Sequence, residues 1–441
     1  MADGISPPVF APDGTAYVWT RGSRGAQLVA LDSSGNVKPG WPVELLVHDR
    51  WWPPTPVVAA DGSVLVGEDG EPDVGGVTLH RLGAGGRELP GWPFPVASPA
   101  TCHEPVLAPD GVTYLACGSG DGNKDLLYAI DPDGRARRGW PVAIEGLIRW
   151  QSHLRIGPDG TVFVSSGPEG PAEAPRLSAL APDGRRLPGW PISLSPQLGD
   201  YLLGPDGTVV VWWYDPLPGA ICGDASRTLY AVLGVDGRPL PGWPLGAKGL
   251  SSAPVVGDDG AVYYVTEAGE AFAHDRGGDV RPGWPVHVGV GYDGPCTPAS
   301  PYLRPDGTLY FHGEEITAMS PDGRPRTGWP VRPAGSLGPV SSCIMDGPSR
   351  PRLAFGPDGT TYLAVFHEDP AESWADVLAL DRNGRVSPGW PHRLPLRLGG
   401  GLAVVSSLDV SPGGKLYVTL LTCAETPDML VVLDGDGSAA P

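Results

Sequence analysis

The tripeptide Gly-Trp-Pro occurs eight times in this 441-residue chain, with Trp at 41, 92, 140, 190, 243, 284, 329 and 390. The copies stand 41 to 61 residues apart, and each closes a unit built to the same plan. One unit reads "EPVLAPDGVTYLACGSGDGNKDLLYAIDPDGRARRGWPV". "PVLA" is a short strand, and "PDG" is a tight turn: Pro pre-sets φ, while Asp and Gly tolerate the left-handed backbone that follows. "VTYLA" and "LLYAI" are rich in β-branched, aromatic and aliphatic residues and read as two further strands. A second turn, "DPDG", leads into the fourth strand at "GWPV". No long window carries a helical period.

A repeat of this length with four short strands predicts a β-propeller blade. The first turn recurs at Asp13, Asp61, Asp110, Asp159, Asp206, Asp259, Asp306, Asp358 and, in altered form, Gly413. The second recurs at Gly35, Gly86, Gly134, Gly184, Gly237, Gly278, Gly323, Gly384 and Gly437. Nine units therefore share eight fourth strands. The expectation is an all-β chain with one propeller domain over 1–441 and repeats at about 5–43, 54–94, 103–142, 152–192, 200–245, 252–286, 299–331, 351–391 and 403–437. Nine blades are expected, the last without its outer strand, with eight blades as the alternative. The 65 Gly and 53 Pro fit this plan as turn punctuation.

Ala129, Asp131, Gly134 and Trp140 follow an Ala-x-Asp…Gly…Trp order, as do Ala30, Asp32, Gly35 and Trp41, Ala273, Asp275, Gly278 and Trp284, and Ala379, Asp381, Gly384 and Trp390. This resembles the tryptophan-docking pattern of quinoprotein-like (PQQ-like repeat) propellers, and the "PGWP" wording resembles bacterial FG-GAP-type repeats. The resemblance implies a Trp packed between neighbouring blades. It implies little about function. The vicinal Cys pair of quinone-dependent dehydrogenases is missing, and so is the FG-GAP calcium loop, so no cofactor is expected and a divalent metal is the alternative.

The net charge of −19 opposes nucleic-acid binding. No apolar run is long enough to span a membrane, and the first residues carry no signal-peptide pattern. A monomer is expected. All six cysteines, Cys102, Cys117, Cys222, Cys296, Cys343 and Cys423, fall toward the long connections. Cys102 and Cys117 flank a hairpin turn symmetrically, which predicts a disulfide and favours a secreted or periplasmic setting over the cytoplasm. Pairing of the other four is left open.

The long, dissimilar B–C and D–A connections share one face, where a site is expected. Six residues before the first turn, at the loop end of strand A, stand Glu104, His153 and Asp200 in three consecutive blades, with Arg352 further along and Arg155 one layer deeper. A His with two carboxylates suits a metal, or a base with its orienting acid. Arg352 suits an anion. Solvated ion pairs are the plainer reading. Trp51, Trp52, His103, Trp150, Tyr201, Trp212, Trp213, Tyr292 and Trp374 supply ring faces suited to sugars, or to loop anchoring. The expected function is binding of a carbohydrate or protein ligand. The alternative is a polysaccharide lyase or hydrolase using Glu104, His153, Asp200 and Arg352.

Overall fold

The computed structural model describes residues 4–22, 25–47, 55–69, 76–96, 102–118, 125–148, 153–167, 174–195, 198–216, 225–292, 298–337, 353–368, 373–398, 401–422 and 428–438. These residues form nine antiparallel sheets, the blades of a nine-bladed β-propeller. In blade 1 the strands are Val9–Phe10, Ala16–Gly22, Gly25–Leu31 and Val43–Leu45, hydrogen-bonded in chain order. They are called A to D here and in the other blades.

Two blades depart from four full strands. In blade 7 the fourth strand shrinks to a bridge between Ile316 and Val331. In blade 9 the strands are Gly401–Val410, Leu416–Thr422 and Met429–Leu433. A short strand, Arg397–Leu398, pairs with Gly401 and Leu402 at the opposite edge. Among the described residues, no strand pairs with the outer edge of Met429–Leu433, as the repeat count predicts.

The chain divides into two compact units. Met1–Pro99, Asp133–Arg135 and Pro333–Pro441 make one, and Ala100–Pro132 with Ala136–Arg332 make the other. Within the first unit, Phe10 of blade 1 packs edge-on against Tyr417 of blade 9 at 4.9 Å. The Ile5 amide donates to Asp428 of blade 9 at 3.3 Å.

Within each unit, neighbouring blades in sequence are joined by one repeated construction. The eight Gly-Trp-Pro tryptophans are 6–8% exposed, and each Trp-Pro peptide bond is cis. Trp41 packs edge-on against Tyr17 of its own blade and donates from Nε1 to the carbonyl of Ala84 in the next. Trp140, Trp190, Trp284 and Trp390 reach Pro182, Val235, Pro321 and Gly435 in the same way. Burying one such indole stabilises a joint by about 2–3 kcal/mol. The Gly ahead of each Trp has a positive φ, and Gly40, Gly139, Gly189, Gly242, Gly283 and Gly389 lie close against the next blade. A Cβ on Gly40 would lie 2.1 Å from the Gly85 oxygen, so no other residue fits.

Blade 2 varies the plan. The repeat places alanine at the position of Ala30, yet blade 2 has Arg81, which is 4% exposed. Its guanidinium reaches Ser63 at 2.9 Å and Asp61 at 3.2 Å. In blade 3 the same first-turn aspartate, Asp110, is met instead by Arg137, from the segment between the second turn and strand D. The position of Arg137 holds Leu89 in blade 2. Cation and apolar residue have exchanged places between strand C and the segment before strand D.

Candidate functional site

Blades 4 and 5 bring two of the predicted polar residues together. His153 immediately precedes strand A of blade 4 (Leu154–Ile156). Its amide donates to Ser165 Oγ at 2.8 Å, and its carbonyl accepts from the Ser165 amide at 3.0 Å. Strand A of blade 5 (Leu198–Leu203) has a register shift between Leu198 and Asp200. Such irregularities re-aim side chains, and Asp200 meets His153 here. The distance from His153 Nδ1 to Asp200 Oδ1 is 2.6 Å.

Alternation along the strand puts Arg155 on the same side as His153. Arg155 donates to the other oxygen of Asp200 at 3.2 Å and to the Tyr201 carbonyl at 3.0 Å. The Tyr201 amide also donates to Asp200, at 2.7 Å. One carboxylate thus holds an imidazole and a guanidinium. Asp200 is 17% exposed, while His153 is 46% and Arg155 38% exposed. With Nδ1 donating to a carboxylate, the neutral ring turns its Nε2 lone pair outward.

The aromatic predictions divide. Tyr201 is fully buried, and its hydroxyl donates to the carbonyls of His153 and Phe163, each at 3.0 Å. Burial pushes its phenol well above the ordinary value. Tyr201 is therefore a foundation beneath the His–Asp pair and offers no surface to a ligand. Trp212 is also buried, in the core that includes Trp243, and Trp213 is half-buried against the core of blades 4 and 5. Strand alternation sends these neighbours to opposite sides, and both sides are packed.

Trp374 stands between two side chains on flanking strands of blade 8: the His367 ring at 4.9 Å and the Arg393 guanidinium at 4.6 Å. Asp376 ties both partners, at 3.0 Å to His367 and 3.1 Å to Arg393. The Trp374 ring, within the strand Ser373–Leu380, thus carries an imidazole and a guanidinium against it. Sequence reasoning missed this cluster, although cross-strand pairing of His367 with Trp374 was its signal. Tyr292 is exposed. His103 donates its amide to Ala116, and Glu104 is exposed beside it. Trp51, Trp52, Trp150 and Arg352 lie outside the described residues.

Among the described residues, no three His, Cys, Asp or Glu side chains converge as a metal-holding group. Glu104, His153 and Asp200 do not form the expected trio, and the Arg155 cation on Asp200 disfavours a second cation there. Cys102 and Cys117 form the predicted disulfide, with Cα atoms 4.1 Å apart. Cys222, Cys296, Cys343 and Cys423 lie outside the described residues.

No family model matches the chain, and no curated protein matches it. Among solved structures it is similar to a crystal structure of the eukaryotic initiation factor, at 12% identity, covering 96% of this chain and 94% of that one, with a TM-score of 0.56. The likeness is one of fold: a β-propeller. BamB from Moraxella catarrhalis is matched at 17% identity over 73% of this chain and 82% of that one, with a TM-score of 0.38. A putative gluconolactonase is matched at 16% identity over 59% and 84%, with a TM-score of 0.30. The nine sheets and their docked tryptophans bear out the quinoprotein-like resemblance at the level of fold.

Proposed function

We propose that this protein is a binding propeller, working without metal or cofactor, whose site is centred on His153, Arg155 and Asp200. The observation that carries this reading is the half-exposed imidazole of His153, fixed at Nδ1 by Asp200, beside a guanidinium tied to the same carboxylate. Preset polar groups on rigid strands suit a ligand that offers hydroxyls and carboxylates. A glycan or a protein segment meets that description. The Cys102–Cys117 pairing suits an oxidising compartment.

A thermal-shift screen with neutral and acidic oligosaccharides and acidic peptides tests the reading, because a ligand of the folded state raises the melting temperature. A shift lost in both His153→Ala and Arg155→Ala supports it. A shift retained in both moves the site elsewhere.

The second reading is acid–base catalysis on a polysaccharide. The 2.6 Å His153–Asp200 pair favours it, since a carboxylate at Nδ1 orients a His to act through Nε2. New reducing ends or unsaturated products formed from an acidic polysaccharide, and lost in His153→Ala with the melting temperature kept, would replace binding with catalysis. An EDTA-sensitive activity would restore a metal to the site.

A further inference from the structure

Asp376 gathers a second group of the kind found at Asp200. His367 stands on strand B of blade 8 (Thr361–Glu368), Trp374 and Asp376 on strand C (Ser373–Leu380), and Arg393 on strand D (His392–Pro395). Trp374 and Asp376 are two residues apart, so they share one side of the sheet. Across the strands, His367 pairs with Trp374 and Arg393 with Asp376. One carboxylate again holds an imidazole and a guanidinium, here with an indole added.

The group is held on several sides. Ser336 and Phe366 exchange backbone hydrogen bonds at 3.0 and 2.8 Å, which sets Gly335 beside the His367 ring. The His367 ring stacks on Trp374 within 10° of parallel. Arg393 lies over the same indole and gives its Nε to Asp376. Its side chain is nevertheless 62% exposed, and its Nη1 and Nη2 have no partner among the described residues. A long surface cation ordinarily keeps its rotamer freedom. This one is fixed with the outer end of its fork bare. The indole N–H of Trp374 is buried and also has no acceptor among the described residues.

We propose that this side of blade 8 is a binding site for an acidic glycan, with Arg393 taking the carboxylate of a uronate residue. The two outer nitrogens of a guanidinium match the two oxygens of a carboxylate. Asp376 gives one oxygen to His367 and the other to Arg393, and each oxygen keeps a lone pair for a sugar hydroxyl. An acidic peptide offers carboxylates but few hydroxyls, and would leave that capacity unused. The fork is set before the ligand arrives, which lowers the ordering cost of binding. The site shares no residue with the His153 group and does not depend on that group binding a ligand.

The test is titration calorimetry of the 441-residue protein with a galacturonate trisaccharide, its methyl ester and a tri-glutamate peptide. The expected result is saturable binding of the trisaccharide. It should be at least about tenfold weaker for the ester and in Arg393→Gln, and within about twofold of the parent in Arg155→Gln. The ester keeps the test independent of whether Arg393→Gln folds. Absence of saturable binding would overturn the proposal, as would binding indifferent to the ester or to Arg393→Gln. Loss in Arg155→Gln alone would assign the sugar to the His153 group and overturn the site in blade 8. Tighter binding of the peptide than of the trisaccharide would overturn the glycan in favour of an acidic protein segment.

Discussion

The indole Nε1 of Trp243 donates to the backbone oxygen of Arg276 at 2.9 Å, joining blade 5 to blade 6. The preceding residue, Gly242, has φ +86°, and a Cβ there would stand 1.8 Å from the Gly277 oxygen. The indole therefore reaches its partner only because Gly242 has no side chain.

Trp243→Ala should cost about 3–5 kcal/mol through the cavity it leaves, and Trp243→Phe about 1 kcal/mol more than its lost area because the hydrogen bond goes. Gly242→Ala should cost at least about 2 kcal/mol, although it adds only a methyl group. Urea unfolding of the three variants checks the order. A Gly242→Ala protein as stable as the parent would remove the steric account of the tripeptide.

The exchange in blade 2 predicts a rescue. Arg81→Ala restores the repeat's usual residue but strips Asp61 and Ser63 of their guanidinium, at a cost of about 1–2 kcal/mol. Adding Leu89→Arg, the arrangement seen with Arg137 in blade 3, should recover most of that loss. A double-mutant cycle measures the coupling. Purely additive losses would show that the two positions are unrelated.

His274 gives the fold a pH dependence. It is 6% exposed where most blades carry an aliphatic residue, and burial pushes its imidazole below the ordinary value of 6.5, against the smaller opposing pulls of the Gly278 carbonyl, Asp275 and Asp279. Nδ1 faces the Gly278 oxygen at 3.0 Å, so Nε2 accepts from the Tyr264 hydroxyl at 3.2 Å. The unfolded chain takes up a proton that the folded ring resists. The contribution is complete above pH 6.5 and is lost as pH falls below it. Stability should fall between pH 7.5 and 5, and fall less in His274→Leu, whatever that variant's absolute stability. Parallel slopes would clear His274 of the effect.

Thr113 carries a fully buried hydroxyl that has no hydrogen-bond partner, at a position where blades 2, 4, 5 and 6 have Val. Thr113→Val should stabilise the protein by about 1 kcal/mol. A raised melting temperature in calorimetry would bear this out. A drop would mean that the hydroxyl is satisfied in solution.

The blades were legible in the sequence because their determinants are local. Asp13 and Gly14 form a turn from their own backbone preferences, and Gly40 and Trp41 mark the joint wherever they occur together. The His153–Asp200 pair was legible for a related reason: counting back six residues from each first turn lands on equivalent places in neighbouring blades. What escaped depends on which side of a strand faces a core. Nothing local in the sequence separates Tyr201 and Trp212 from ligand-facing aromatics; the packing on both sides of blade 5 buries them. The covering of Trp374 depends on His367 and Arg393, which only strand pairing brings beside it. The reduction of blade 7's fourth strand to the Ile316–Val331 bridge left no mark on the turn pattern.

The docked tryptophans have an optical consequence. Each is an indole that folding keeps nearly dry, and in the six for which the hydrogen bond is described, the ring N–H binds a carbonyl of the following blade. Separating any of these joints wets one indole and should shift its emission to longer wavelength. The joint between blades 9 and 1 has no such reporter, since it closes on Phe10 and Tyr417. Intrinsic fluorescence would then be blind to a molecule that opens at that seam alone, while amide exchange at Ile5, whose N–H is held by Asp428 of blade 9, would still detect it.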